Sequence, residues 1–272
     1  MSFLQFGIKR KTLIVMKIIK NVNSIKENKR LLGDLIDTHL ESVESLFTDN
    51  EKKKKILEIN HVGKSLMLLD AGIQIDKLFE APDFVLKFHS GKKVGLEHRT
   101  IIDGKAKNRE GFFEHIFSVA ESELQNNLEL PNFFVSCHLN PYLSFMTNQK
   151  RNLIQIIISV VREYILTGIL LDNPLIDKIS KIPDSYTSIN VVGAWWVNYI
   201  TTDLITEAIR QKEEKIRIYR ENSVNIQWLL IVIGQLGKSS FNIKKDLELD
   251  FKTEFDKVFI LEDFYNNLYE LK

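Results

Sequence analysis

Cysteine is nearly absent from this sequence: Cys137 is the only one in 272 residues. An internal disulfide is excluded, a Cys-based zinc site is argued against, and a reducing compartment fits. Long apolar runs are missing as well. The longest, Ile156–Ile158 with Val160-Val161 and Leu229–Ile233, fall far short of the ~20 residues that a membrane-crossing helix needs. Lys9-Arg10-Lys11 precede Thr12–Met16, but Lys17 interrupts the apolar stretch and no small-residue cleavage site follows, so no signal peptide is expected. A cytoplasmic protein without a membrane partner is the corresponding expectation. A dominant charge is also lacking. Lys and Arg number 37 against 36 Asp and Glu, and a net charge of +1 provides no overall field toward nucleic acid, so any basic surface must be local. No internal repeat and no low-complexity tract is present.

Several catalytic signatures are missing too. There is no Gly-x-Ser-x-Gly elbow, and neighbouring Cys137 and His138 fall on opposite faces of a strand, which leaves acyl transfer little support. His61, His89, His98, His115 and His138 show none of the i, i+4 spacings that put two imidazoles on one helical face, which argues against a zinc hydrolase. Gly234-Gln-Leu-Gly237-Lys238-Ser239-Ser240 follows an apolar strand, but only two residues separate its glycines. A phosphate-wrapping loop needs four, so this segment reads as an exposed turn.

What the sequence does carry is 44% hydrophobic content, ordinary for a globular protein, arranged in alternating helical and extended patterns. Residues 1–22 could form an N-terminal strand pair or an extension. Ser24 could cap a helix with Leu31, Leu32, Leu35, Ile36 and Leu40 on one stripe. A second helix is predicted over Glu51–Leu69, ended by Ala71-Gly72, and its Lys52–Lys55 run reads as a solvated first turn. A helix from Glu110 to about Asn126 buries Phe112, Phe113, Ile116, Phe117 and Ala120, and Asn132–His138 reads as a third strand of the main sheet. A helix over Thr147–Thr167, a loop segment around Pro174 and Pro183-Asp184, strands near Ser188–Val192 and Ala194–Val197, and a helix over Leu204–Glu221 follow. Ile226–Ile233 and Lys257–Leu261 are apolar on both faces and are predicted to be buried central strands.

The most informative stretch is Ala81–Thr100. It reads as two strands, Phe84–His89 and Lys93–Ile101, joined by Ser90-Gly91-Lys92, whose glycine can take the positive φ of a tight turn. Asp83 starts the first strand and Glu97 lies midway along the second, so two carboxylates can meet across the hairpin. Gly95, Glu97 and Arg99 share one face; Leu96, His98 and Thr100 share the other, where His98 reads as a hydrogen-bonded core histidine. Oxygen-rich pairs of this kind suit Mg²⁺ or Mn²⁺ with water and phosphate completing the shell. Pro82-Asp83 followed fourteen positions later by Glu97-x-Arg99 resembles the PD-(D/E)XK nuclease superfamily. Arg99 stands where that family usually carries a lysine, and Arg holds a phosphate but titrates too high to yield a proton.

The resemblance implies an α/β fold, a restriction-endonuclease-like α-β-β-β-α-β core whose central mixed sheet is flanked by helices, with helical insertions. It covers roughly residues 51–262, and its second element is the lysine-bearing helix that feeds Trp228-Leu-Leu-Ile-Val. Residues 1–50 would be a mostly helical extension and 51–272 the nuclease-like domain with an insertion around 140–200. The implied activity is metal-dependent hydrolysis of phosphodiester bonds, in DNA, with Asp83 and Glu97 as metal ligands. A homodimer would serve a double-strand cutter. Ile205, Ile209, Lys212 and Ile216 follow one helical stripe, so Lys212 or its neighbour Lys215 could supply the missing lysine, leaving Arg99 to bind phosphate. Glu58 reads as a solvated helical residue; a third carboxylate near the metal is the alternative that the resemblance offers. The competing functional class is a binding or scaffolding protein that keeps the fold without catalysis.

Overall fold

A computed structural model of the chain describes residues 17–20, 25–69, 72–127, 129–140, 147–193, 197–234, 237, 239–244, 247, 249 and 251–271. Ser24, Ala71 and most of residues 1–22 and of Ala194–Val197, each part of an expectation above, lie outside these. The chain divides into two compact units, one of Met1–Ile102, Asn198–Leu236 and Ser240–Lys272, the other of Asp103–Val197 and Gly237–Ser239.

The first unit opens with β1 (Lys17–Lys20), α1 (Ile25–Leu46), α2 (Asp49–Leu69), β2 (Ile73–Leu78), β3 (Phe84–Phe88) and β4 (Lys93–Thr100). The second unit follows: α3 (Gly104–Gln125), β5 (Phe133–Leu139), a 3-10 turn at Thr147–Gln149, α4 (Lys150–Thr167), β6 (Ile176–Pro183) and β7 (Ser188–Gly193). The chain then completes the first unit with β8 (Asn198–Tyr199), α5 (Thr202–Glu213), α6 (Ile216–Asn222), β9 (Gln227–Ile233), β10 (Phe241–Asn242), β11 (Lys257–Glu262) and β12 (Asn267–Glu270).

In the first unit seven strands form one mixed sheet in the order β1-β12-β11-β9-β4-β3-β2. β9 runs parallel to both neighbours, β4 and β11, and the remaining pairs are antiparallel. Every residue of β9 is buried, as its two-sided apolar pattern predicts. Alternation then decides the partners. Trp228, Leu230 and Val232 pack with Ile36 and Val43 of α1 and Ile59 and Val62 of α2, while Leu229, Ile231 and Ile233 pack with Ile205 and Ile209 of α5 and Ile216 of α6. Each large aliphatic side chain buried this way contributes about 1.5–3 kcal/mol. α1 and α2 meet closely at Gly63, where a Cβ would run into Ile36 and Leu32. The helices therefore flank the sheet on both faces, and α1 shares the core rather than standing apart as an extension.

The helix expected over Leu204–Glu221 is two. Thr201 caps α5 by accepting from the Leu204 N–H, and the chain turns at Glu214-Lys215 without a glycine or proline to announce it. The Glu213 carboxylate is drawn away to the Thr253 hydroxyl and the Glu254 N–H, and the new direction of α6 buries both Ile216 and Tyr219.

The second unit corrects three further expectations. Phe133–His138 does not join the main sheet: β5 is the centre of a separate sheet, β6-β5-β7, with Phe133, Val135, Cys137 and Leu139 turned toward α3 and α4. The segment read as a loop near Pro183 is the edge strand β6, whose apolar residues Ile176 and Ile179 are too widely spaced for simple alternation because the register shifts beside His138. This unit begins at Asp103, earlier than the insertion expected around residues 140–200, because α3 shares its core with β5 and α4. Asp103 itself starts α3, its carboxylate accepting from the Lys105 and Ala106 N–H groups. Among the described residues no helix is long and apolar enough to cross a membrane.

Candidate active site

The hairpin β3–β4 forms as its sequence requires, with Gly91 at a φ of 83° in the turn. Phe84 pairs with Leu96, which sets Asp83, directly before β3, opposite Glu97. The two residues clasp each other's strands: the Asp83 N–H donates to Glu97 Oε2 at 3.2 Å, and the His98 N–H donates to Asp83 Oδ2 at 2.9 Å. Glu97 is 3% exposed. On the same face of β4, Gly95 leaves room for the Gln227 amide, which a Cβ there would displace.

Lys212 arrives from α5 and donates its Nζ to Glu97 Oε1. The apolar stripe that carries it thus ends on the carboxylate the hairpin presents. Beneath Glu97 lies Tyr219, 1% exposed, whose phenol is pushed up by burial and then by the negative charges of Glu97 and Asp83. Asp83 stands differently. Its carboxyl is pushed up to about 6, by burial first and then by Glu97, against the His98 N–H and more distant Lys212, which act the other way.

A pocket of about 240 Å³ opens here, lined by Lys54, Glu58, Asp83, His98, Arg99 and Lys212 among others. Glu58 is a correction to the solvated reading: it is 5% exposed, with Lys55 Nζ 2.7 Å and Lys54 Nζ 3.6 Å from its oxygens. Lys55 likewise departs from a solvated first turn. Its side chain is 13% exposed and its amine stands 5.2 Å from the centre of the Phe84 ring. Arg99 lines the pocket and donates to Gln211 Oε1 at 3.1 Å from an exposed position. Lys215 is exposed at the break between α5 and α6 and is not among the lining residues.

Behind the pocket, sequence reasoning missed a partner. His98 is a buried, hydrogen-bonded histidine as expected, but its partner is His61 of α2, with Nδ1 of His61 3.0 Å from Nε2 of His98 and the rings stacked 5.2 Å apart. Burial lowers the pKa of both rings, His98 more strongly. Asp263 lies 3.9 Å from the far nitrogen of His61 and pairs with Lys64 at 2.6 Å. No spacing rule signals this pair, because its members come from a helix and a strand that meet only in the fold.

The Gly-Lys-Ser segment of the second unit has no phosphate cradle at its serine. The Glu110 carboxylate accepts from the Ser239 N–H and hydroxyl, each at 2.8 Å, taking the donors a phosphate would need. Ser239 and Ser240 are buried, where an exposed turn was expected. Cys137 is a buried free thiol in the core of that unit, pushed up to about 12 by burial.

The divalent cation that the hairpin implies fits these residues in one respect. Asp83 faces Glu97 across the hairpin, and among the described residues no Lys or Arg lies within ion-pair distance of it. Burial first and then the neighbouring Glu97 charge raise its pKa, and the second of these is what a bound cation relieves. Among the described residues, however, no group of three or more His, Cys, Asp or Glu side chains is placed to hold a metal, so protein oxygens would supply only part of a shell. No family model, no curated protein and no solved structure matches this chain.

Proposed function

We propose that this chain is a metal-dependent phosphodiester hydrolase of the PD-(D/E)XK kind, acting on DNA. The observation that carries the reading is the contact of Lys212 with Glu97, opposite Asp83 and at the edge of a pocket. A lysine 115 positions away in the sequence is thereby brought onto the carboxylate of the Asp-x13-Glu hairpin, the arrangement this reading requires. The order α2-β2-β3-β4, then α5-α6-β9 after the second unit, follows the α-β-β-β-α-β succession with its second helix broken in two, and β9 lies parallel beside β4.

In this reading Asp83 and Glu97 hold Mg²⁺ or Mn²⁺, which when bound supplies Lewis acidity and a water of lowered pKa. Lys212 orients the attacking water and steadies charge developing on the phosphate. Arg99, whose guanidinium keeps its charge, and exposed Lys54 hold phosphate oxygens at the rim. A pocket of about 240 Å³ takes a phosphate and its sugar rather than a base pair, which favours backbone recognition over base readout inside it. A double-strand cutter would pair two such sites in a homodimer.

The second reading, a binding or scaffolding protein without catalysis, is favoured by Arg99 in the place of the usual lysine and by the small number of grouped metal donors. The test is cleavage of supercoiled, linear and single-stranded DNA and of RNA with Mg²⁺ or Mn²⁺. Cleavage lost in Asp83→Asn, Glu97→Gln and Lys212→Met supports the enzyme. Binding of nucleic acid without turnover, unchanged in those variants, supports the scaffold.

A further inference from the structure

We propose that Lys212 and Lys55 are internal counterions, each held on a glutamate beside the pocket, so that a divalent cation enters by exchange and Lys212 leaves Glu97 as the cation arrives. The inference rests on the nuclease reading and says how its site is regulated.

Three carboxylates, Glu58, Asp83 and Glu97, belong to one small region, and two partly buried ammonium groups are matched to two of them. Lys212 sits on Glu97 with its side chain 20% exposed, and Lys55 lies 2.7 Å from Glu58 with its side chain 13% exposed. Lys54, 3.6 Å from Glu58, is 80% exposed and is screened by water. Asp83 alone has no such partner among the described residues. Without its lysines this region would bury like charges side by side, at a cost that burial amplifies. The ammonium groups therefore let the site persist folded before any metal binds.

The same arrangement sets a toll on cation entry. A divalent ion and the Lys212 amine cannot share the Glu97 oxygens without repelling each other at close range. Lys has a flexible four-carbon stem, so the amine can swing from Glu97 toward the pocket while its helix stays in place. The amine that acts on the phosphate thus becomes available when the cation is in place, which orders the two events. Lys55 is held more firmly, its amine over the Phe84 ring, and keeps Glu58 a neutralised wall of the pocket.

The experiment is titration of Mn²⁺ by calorimetry at pH 8 into the full-length wild type, Lys212→Met, Lys55→Met and the distant control Lys215→Met. Methionine retains the apolar stem. Exchange predicts that Lys212→Met and Lys55→Met bind Mn²⁺ about tenfold more tightly than wild type, with Lys215→Met unchanged. The ion-free Lys212→Met protein should melt lower than wild type and gain more from added Mn²⁺. If Lys212→Met does not fold without metal, Lys212→Gln and Lys55→Met carry the comparison. Equal or weaker affinity in the lysine variants, no Mn²⁺ binding by any of the proteins, or an equal gain in Lys215→Met overturns the exchange. A wild type that cleaves no nucleic acid overturns the nuclease reading but leaves the exchange to the binding data, so the two failures separate.

Discussion

Glu97 and Glu262 are both buried, at 3% and 5% exposure, on the two strands that flank β9, yet their surroundings ask different things of them. Glu262 Oε2 accepts from neutral donors, the Asn267 amide at 2.8 Å and the Tyr269 hydroxyl at 3.1 Å. Glu97 accepts from an ammonium group and faces a second carboxylate, and those two partners, Lys212 and Asp83, line a pocket. Each also has a tyrosine whose phenol burial pushes up, that of Tyr269 to about 12. A buried glutamate beside a tyrosine is therefore no sign of function. The difference lies in the unrelieved negative charge beside Glu97 and the space next to it.

The sharpest way to break this contrast is to neutralise each acid. On the nuclease reading proposed above, Asp83→Ala or Glu97→Ala should lower cleavage on the order of 10³-fold, whereas Glu262→Gln should cost about 1–3 kcal/mol of stability and leave any activity per folded molecule unchanged. A gel assay beside urea unfolding reads both, and a Glu262→Gln enzyme as impaired as Glu97→Ala would erase the distinction. The strand between the two glutamates provides the next test. Leu230→Ala and Ile231→Ala, on opposite faces of β9, should each cost about 2–5 kcal/mol in denaturant midpoint experiments. A negligible cost at both would mean the shared core is misassigned.

Asp83 gives a smaller effect with a definite sign. Its folded-state value of about 6 lies above the ordinary 3.8, so the folded protein holds that proton more tightly than the unfolded chain does. Stability from this residue is fully present below the unfolded value and is lost as pH rises through about 6. Asp83→Asn, which keeps an oxygen to accept from the His98 N–H, should be more stable than wild type at pH 8 by on the order of 2 kcal/mol. The advantage should shrink toward pH 4, and thermal melts across that range check it; a variant less stable than wild type at pH 8 would contradict the crowding argument. Smallest of all, Lys215→Met should change cleavage less than about twofold, because exposed charges away from the chemistry contribute little. A loss like that of Lys212→Met would restore Lys215 to the site.

The parts of this picture that were legible in the sequence are those governed by short-range periodicity. The hairpin, the two faces of β9 and the position of Lys212 on the stripe of Ile205 and Ile209 all follow from spacings of two or of three to four residues. What was illegible depends on distant partners. Lys55 and Glu58 look like any charged helix surface until β3 brings Phe84 beneath the lysine. His61 and His98 acquire meaning from each other. β5 alternates as a strand of any sheet would, and only α3 and α4 decide which sheet it joins. At the break after α5, Glu213 bonds to Thr253 and Glu254, 40 and 41 residues downstream.

The second unit is inserted between β4 and α5, so β4 and β9, which lie side by side, are joined through the whole of residues 103–197. The consequence is kinetic. The β2-β3-β4 meander can zip up by local closure, but the parallel β4–β9 pairing must wait for a very long loop to close, and such non-local contacts slow folding. If the second unit collapses first around its own core, the effective loop becomes much shorter than its sequence length, and each halving recovers about 0.6 kcal/mol of closure entropy. On that order Glu97 meets Lys212 only after the second unit has formed. Substitutions in β2 or β3 should register in the folding rate, and those that loosen α5 in the unfolding rate. A nascent chain carries its two carboxylates together long before it carries the lysine that completes the set.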